Sequence, residues 1–318
     1  SSDLPMFHKE VAPILNRRCV HCHRPGTAAQ FALLEYKDAV ANAEMIAEVV
    51  TDQRMPPWYA NPKHGKFQND PSLTREERDT LIRWVRTGRA AGDPSDAPPA
   101  PKFDDSKWRI GEPDLVVTML QEHKIPATGY VPYKYLLLPH IFLDDTWLDA
   151  IEIRPDNPAV VHHCNMAYVT TKGAGHETFI TGHVPGGQPM DFSRFDNGLA
   201  FHVPKFSGLG LEIHYTTTGK EERCRISVGF RFPRRLVQKR LHFILLDPRD
   251  IKIPPENGAF TIRSSKVLDR DAMLLGLFSH MHQRGKDMTF FADAPGQRRE
   301  TLLQIPNYNF GWQLEIGR

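Results

Sequence analysis

Leu209-Gly210-Leu211-Glu212-Ile213-His214-Tyr215-Thr216 alternates large apolar side chains with small or polar ones without a break. A period of two is the pleat of a β-strand. It puts Leu209, Leu211, Ile213 and Tyr215 on one face and Gly210, Glu212, His214 and Thr216 on the other. Outward from this stretch, Val160 to Thr170 and Ile226 to Phe232 are strand-like, and so are Tyr133 to Leu138 and Met273 to Phe278. The 26 prolines and 22 glycines mostly punctuate the chain after residue 90, between these runs. Many short strands separated by Pro/Gly turns predict antiparallel β-sandwiches of a jelly-roll-like kind from about residue 108 onward.

Upstream the period changes to that of a helix. Phe7, Val11, Ile14 and Leu15 form an apolar stripe over Leu4 to Asn16, and Val40, Ala43, Ile46, Ala47 and Val50 form another over Tyr36 to Val50. A third helix carries its own start and stop signals. Thr74 and Glu77 make a capping box, Leu81, Ile82 and Val85 the stripe, and Gly88 suits the C-terminal cap. Between the two regimes, Gly92 to Pro101 holds four prolines in ten residues, a semi-rigid extended linker. The expected organisation is therefore a helical domain over 1–92, a Pro-rich linker over 93–107, and β-sandwiches over 108–235 and 236–318. The last is short for a complete sandwich, and Trp312 to Arg318 reads as mid-strand, so it is expected to be incomplete or degenerate.

The 318 residues are 40% hydrophobic and 25% charged, the make-up of an ordinary globular protein. A net charge of +2 gives no footing for nucleic acid or a strongly anionic membrane surface. No apolar run approaches the 18 or so residues of a membrane helix. Ser1 leads directly into the first helical stripe, as in a chain whose leader has been removed.

Cys19-Val20-His21-Cys22-His23 is a CxxCH sequence. Two thiols at this spacing can add to the two vinyl groups of a haem and hold the following histidine under the iron, so the motif reads as covalent haem c attachment with His23 as proximal ligand. A zinc site would need a second cysteine pair at zinc-finger spacing, which the sequence lacks. This reading makes residues 1–92 an all-α cytochrome c domain. For the sixth iron position Met55 leads, because the prolines of Arg54-Met55-Pro56-Pro57-Trp58 stiffen its loop. A His/Met pair raises the reduction potential and suits electron transfer. Met45 is the rival, read as packing beside its helical stripe, and His64 is the weaker candidate. Haem attachment to CxxCH in bacteria takes place outside the cytoplasm, so a periplasmic or extracellular protein is expected, in the compartment where disulfides persist.

Beyond the linker, histidines fall in three suggestive places: His162-His163, His214, and His280 with His282. In a strand His280 and His282 share a face and can grip one metal. Adjacent His162 and His163 point to opposite faces, and sharing a metal demands a bulge or sharp twist there. Imidazole donors without an acidic cluster suit copper or zinc, not magnesium or calcium. His123, His140, His176 and His242 read as ordinary hydrogen-bonded strand residues, while His183 and His202 stay ambiguous.

Arg54-Met55-Pro56-Pro57-Trp58, Val161-His162-His163, Glu212-Ile213-His214-Tyr215 and Ser279-His280-Met281-His282-Gln283-Arg284-Gly285-Lys286, in this order and spacing, resemble the ascorbate-dependent type II copper monooxygenases, the family of peptidylglycine α-hydroxylating and dopamine β-monooxygenases. The likeness is strongest to bacterial relatives in which a cytochrome c domain precedes the copper region. The resemblance implies two successive sandwiches with up to two coppers. His162, His163 and His214 would hold the electron-transfer copper, and His280 and His282 the oxygen-activating one. It also implies hydroxylation of a small organic substrate by dioxygen, with the haem in place of ascorbate or relaying its electrons from a separate electron donor. The family's third ligand at the second copper is a later methionine. Only Met288 follows His282, six residues on, which departs from that pattern. Without that ligand the alternative is a periplasmic electron-transfer or copper-binding protein, as one subunit of a larger assembly. Cys164 and Cys224 are open to two readings, a disulfide bracing the first copper site or two free thiols.

Overall fold

The computed structural model describes residues 4–103, 107–173, 178–248 and 251–317. The stretch around Leu209 folds as read. Ser207–Tyr215 is a strand in which every second residue is buried, with Ser207, Leu209, Leu211, Ile213 and Tyr215 facing inward. It lies between Lys134–Phe142 and Val161–Val169, and Phe179–His183 completes this four-stranded antiparallel sheet. A second antiparallel sheet runs Leu115–Thr118, Ile226–Arg231, Ala150–Pro155, Met190–Asp191. The inner faces of both sheets meet in one core, where Leu209, Leu211, Ile213 and Met166 join Ile151, Ile153, Val228 and Phe230. The β-sandwich is thus present over the expected stretch.

The helical segment corrects its expectation. It is not a large all-α domain, since its four α-helices are only six to twelve residues long: Ala12–Arg18, Tyr36–Ala41, Ala43–Thr51 and Arg75–Arg86. The first stripe opens as a π-turn over Phe7–Val11 and becomes α-helical where Pro13 enters the first turn. The second stripe is broken at Asn42, whose backbone (φ −110°, ψ 13°) leaves the helical region. The third helix matches its signals. The Thr74 hydroxyl accepts from the Glu77 amide at 3.1 Å, and the Glu77 carboxylate accepts from the Thr74 amide at 3.0 Å. These helices share a core of Phe7, Val11, Leu15, Ile46, Leu81 and Trp84.

Residues 56–73 form no helix. Trp58, Tyr59, Ala60 and Phe67 pack instead against Leu303, Ile305 and Ile316 from the far end of the sequence. Polar bonds fasten the same seam. The Asn61 amide donates to the Gln304 carbonyl at 2.7 Å, the Gln68 amide to the Gly317 carbonyl at 3.0 Å, and the Asn69 side chain to the Glu315 carbonyl at 2.6 Å.

After residue 236, where an incomplete or degenerate second sandwich is expected, the strands form isolated pairs. Among the described residues, this stretch holds the pair Gly276–Phe278 with Glu315–Gly317, the pair Met288–Ala292 with Glu300–Ile305, and a short bridge of Lys239–Arg240 to the first sandwich. No two four-stranded layers form there. No helix among the described residues is long and apolar enough to cross a membrane.

Candidate metal centre

Val161–Val169 and Ser207–Tyr215 pair antiparallel with His214 opposite His163, and the next pair is Tyr215 opposite Val161. His162 is therefore one residue too many on its strand, the signature of a bulge. The bulge breaks the alternation that would send the two histidines to opposite faces. Both rings meet His214, with ring centroids 5.4 Å apart for His162–His163, 5.1 Å for His162–His214 and 5.2 Å for His163–His214. One nitrogen from each can lie within 4.8 Å of the others, which makes this trio a group able to hold a metal ion.

The electrostatics favour ligation. Burial lowers the affinity of all three rings for protons, and at His163 the neighbouring His162, His214 and His280 add to it, bringing its pKa to about 4. Neutral imidazoles at physiological pH are the form that binds metals. Nδ1 of His214 is buried with no protein partner, an orphaned polar atom of the kind a ligand resolves. Tyr133 stacks on the His214 ring at 4.6 Å and 16° and fixes its plane. Three nitrogen donors are the chemistry of copper or zinc.

His280 and His282 differ in how they are held. The strand Gly276–Phe278 ends before them, so the strand expected at these residues does not extend that far. Their rings nevertheless approach to 5.2 Å. Tyr308 does this work, its hydroxyl donating to the Met281 carbonyl at 2.7 Å and accepting from the Met281 amide at 3.0 Å. The Gly285 amide closes the following turn onto the His282 carbonyl at 2.8 Å. A side chain at Gly285 has no room, since its Cβ would lie 2.5 Å from that of Met281. Nδ1 of His280 is 2.7 Å from Oε1 of Gln313, which leaves Nε2 free. Met288 heads the next strand, Met288–Ala292, and lines the same cleft as the two histidines.

In the helical segment, Cys19 follows helix Ala12–Arg18 and the chain turns back at once. The Cys22 and His23 amides both donate to the Cys19 carbonyl, at 3.1 and 2.9 Å. Nδ1 of His23 lies 3.2 Å from the Phe31 carbonyl, an arrangement that leaves Nε2 as the ligating atom. Burial, chiefly, pushes the Cys19 thiol up to about 12 and raises that of Cys22. Cys19, Cys22 and His23 line one wall of a large cleft that also takes in Ile46, Val50, Leu81 and Met55. Met45 lines it too and is half exposed, so the packing role read for it does not hold. His64 sits in a turn closed by its amide on the Asn61 carbonyl and is not on that wall.

Of the remaining histidines, His140 departs from its reading, since its Nε2 is buried without a hydrogen-bond partner among the described residues. His202 Nε2 meets Asp145 at 2.9 Å, His123 Nδ1 meets the Tyr215 hydroxyl at 3.1 Å, and His183 is held at the Ile153 backbone. His176 lies outside the described residues. Cys164 and Cys224 are both buried free thiols in the sandwich core, near enough for each to feel the other's charge. Sequence reasoning did not anticipate Tyr133, Tyr308 or Gln313 as supports. Each comes from a distant part of the chain, and nothing local marks it.

Compared with protein-family models, with curated proteins and with solved structures, the chain matches none.

Proposed function

We propose that this chain is a haem-coupled copper oxidoreductase. Cys19 and Cys22 would attach a haem covalently, and His23 and Met55 would hold its iron. His162, His163 and His214 would hold one copper ion, and His280 with His282 a second. Copper at these positions supplies one-electron redox chemistry and, at the second, activation of dioxygen for hydroxylating a small organic substrate. The residues present fit both groups. The trio offers three neutral nitrogens and one orphaned buried atom, and the CxxCH turn borders a cleft that also takes in Met45 and Met55. A reduced redox partner has to supply the electrons, and covalent haem places the protein outside the cytoplasm.

The bulge at His162 carries the reading. Among the described residues the other register shifts in these sheets gather no ligand group, whereas this one brings three imidazoles together. A second reading, electron transfer or copper binding without oxygen chemistry, is favoured by one observation. Among the described residues His280 and His282 gather no third histidine, cysteine or carboxylate.

Metal analysis of the haem-loaded chain, beside its reduced visible spectrum, tests the proposal. One haem and close to two coppers per chain support it, and haem without copper after copper loading overturns it. Consumption of dioxygen under reductant, with oxygen-18 entering an organic product, separates the oxygenase from the second reading.

A further inference from the structure

One side of the CxxCH turn is met by the sandwich. Strand Phe179–His183 runs into a tight turn, closed where the Gly187 amide donates to the Val184 carbonyl at 2.9 Å. Gly186 stands in that turn with φ +76°, and a Cβ there would lie 3.4 Å from Sγ of Cys22. Gly186, Gly187 and Gln188 border the same cleft as Cys19, Cys22 and His23. Arg109 holds the turn in place. One of its guanidinium nitrogens donates to the Gly187 carbonyl at 2.9 Å and another to Oε1 of Gln188. Its own backbone is tied into the sandwich, because the buried Glu152 carboxylate accepts from the Arg109 amide at 2.6 Å and from the Ile110 amide at 3.2 Å. Arg109 itself is exposed and lies off the border of the cleft, so it acts through the turn it holds.

We infer that the haem edge bonded to Cys22 is covered by the sandwich, with the turn over 184–188 as the cover and Arg109 as the residue that pins it down. This rests on the haem reading above and goes beyond it, since that reading uses only residues 19–55. Gly186 suits the contact twice over. It has no side chain to press on the Cys22 sulfur, and it takes a φ that other residues avoid. A cover of this kind keeps water from the haem edge. Ferric haem carries one more positive charge than ferrous haem and loses more when water is excluded, so the cover raises the reduction potential. The Arg109 charge, which is felt at Cys22, works in the same direction. Arg109 is in this sense a positioning residue.

Redox titration of the full haem-bearing chain tests this, read beside its Soret circular dichroism, which reports the surroundings of the haem. Arg109→Gln should move the equilibrium of the haem with a reference couple about threefold or more toward the ferric form. The same variant should alter the Soret dichroism. Arg109→Lys, which keeps the charge and one donor group, should fall between Arg109→Gln and the wild type. Gln188→Ala removes a single bond to the turn and should give a smaller shift in the same direction. Should Arg109→Gln lose its folded far-ultraviolet spectrum, Gln188→Ala carries the test. A folded variant with the potential and the Soret dichroism of the wild type overturns the inference. A wild-type chain that holds no covalent haem sinks the haem reading itself, a different result.

Discussion

The His162–His163–His214 trio and the His280–His282 pair reach similar ring separations by opposite means. The trio stands on two nine-residue strands whose ladder, core and stacked tyrosine all constrain it. The pair sits on backbone with no ladder, held by the Tyr308 hydroxyl, the tight turn at Gly285 and the Gln313 side chain. Sites on regular elements hold their geometry better than sites on irregular chain. The geometry of the trio is therefore held the more firmly of the two.

The largest effect that could break this comparison is loss of a trio ligand. His214→Ala should remove one of two coppers per chain by metal analysis and leave the haem spectrum as it was. Loss of both coppers would show that the pair depends on the trio. At the pair, Gln313→Leu should weaken copper binding about 10- to 100-fold, as loss of a group orienting a ligand histidine commonly does. Titration with a competing chelator reads this out, and the trio's affinity should not move. Equal weakening at both would make the ladder irrelevant to the difference.

His183 sharpens the comparison from the side of pH, because it belongs to the trio's sheet without touching the metal question. Burial, aided by the Arg109 charge, lowers its pKa from 6.5 to about 4. The folded state then binds its proton less readily than the unfolded chain. The stability this histidine permits is whole above pH 6.5 and is lost as pH falls toward 4, about 3 kcal/mol. Denaturant melts of the metal-free chain across that range should show the slope, and His183→Gln should flatten it. A smaller effect is expected of Thr74→Ala, far from both sites, which should cost about 1 kcal/mol through the lost helix cap and leave both coppers in place.

The sandwich was legible because its signal is local. Leu209, Leu211, Ile213 and Tyr215 needed only their own alternation to declare a buried face. The metal trio was half legible. The adjacency of His162 and His163 stated a requirement for a bulge, and only the register with His214 showed it met. Thr74 and Glu77 likewise announced a cap that exists. What stayed hidden depends on distant partners. The stripe over Tyr36 to Val50 does not reveal the break at Asn42, and nothing in Trp58-Tyr59-Ala60 tells that its apolar surface is completed by Leu303 and Ile316. Met45 was misread because a helical wheel shows which face is apolar but not that a cleft opens beside it.

The seam between residues 56–73 and residues 300–317 bears on the order in which the chain can acquire its structure. Asn61 waits for Gln304, and Asn69 for Glu315 and Gly317. Closing a loop of that length costs about 5 kcal/mol of chain entropy, to be met before any of these bonds repays it. A chain emerging from its amino end exposes Trp58, Tyr59 and Phe67 until Leu303, Ile305 and Ile316 have followed. Contacts of such long range also make slow folding the rule. The seam thus joins stretches 243 positions apart, and the apolar surface of each is completed only when the other is in place.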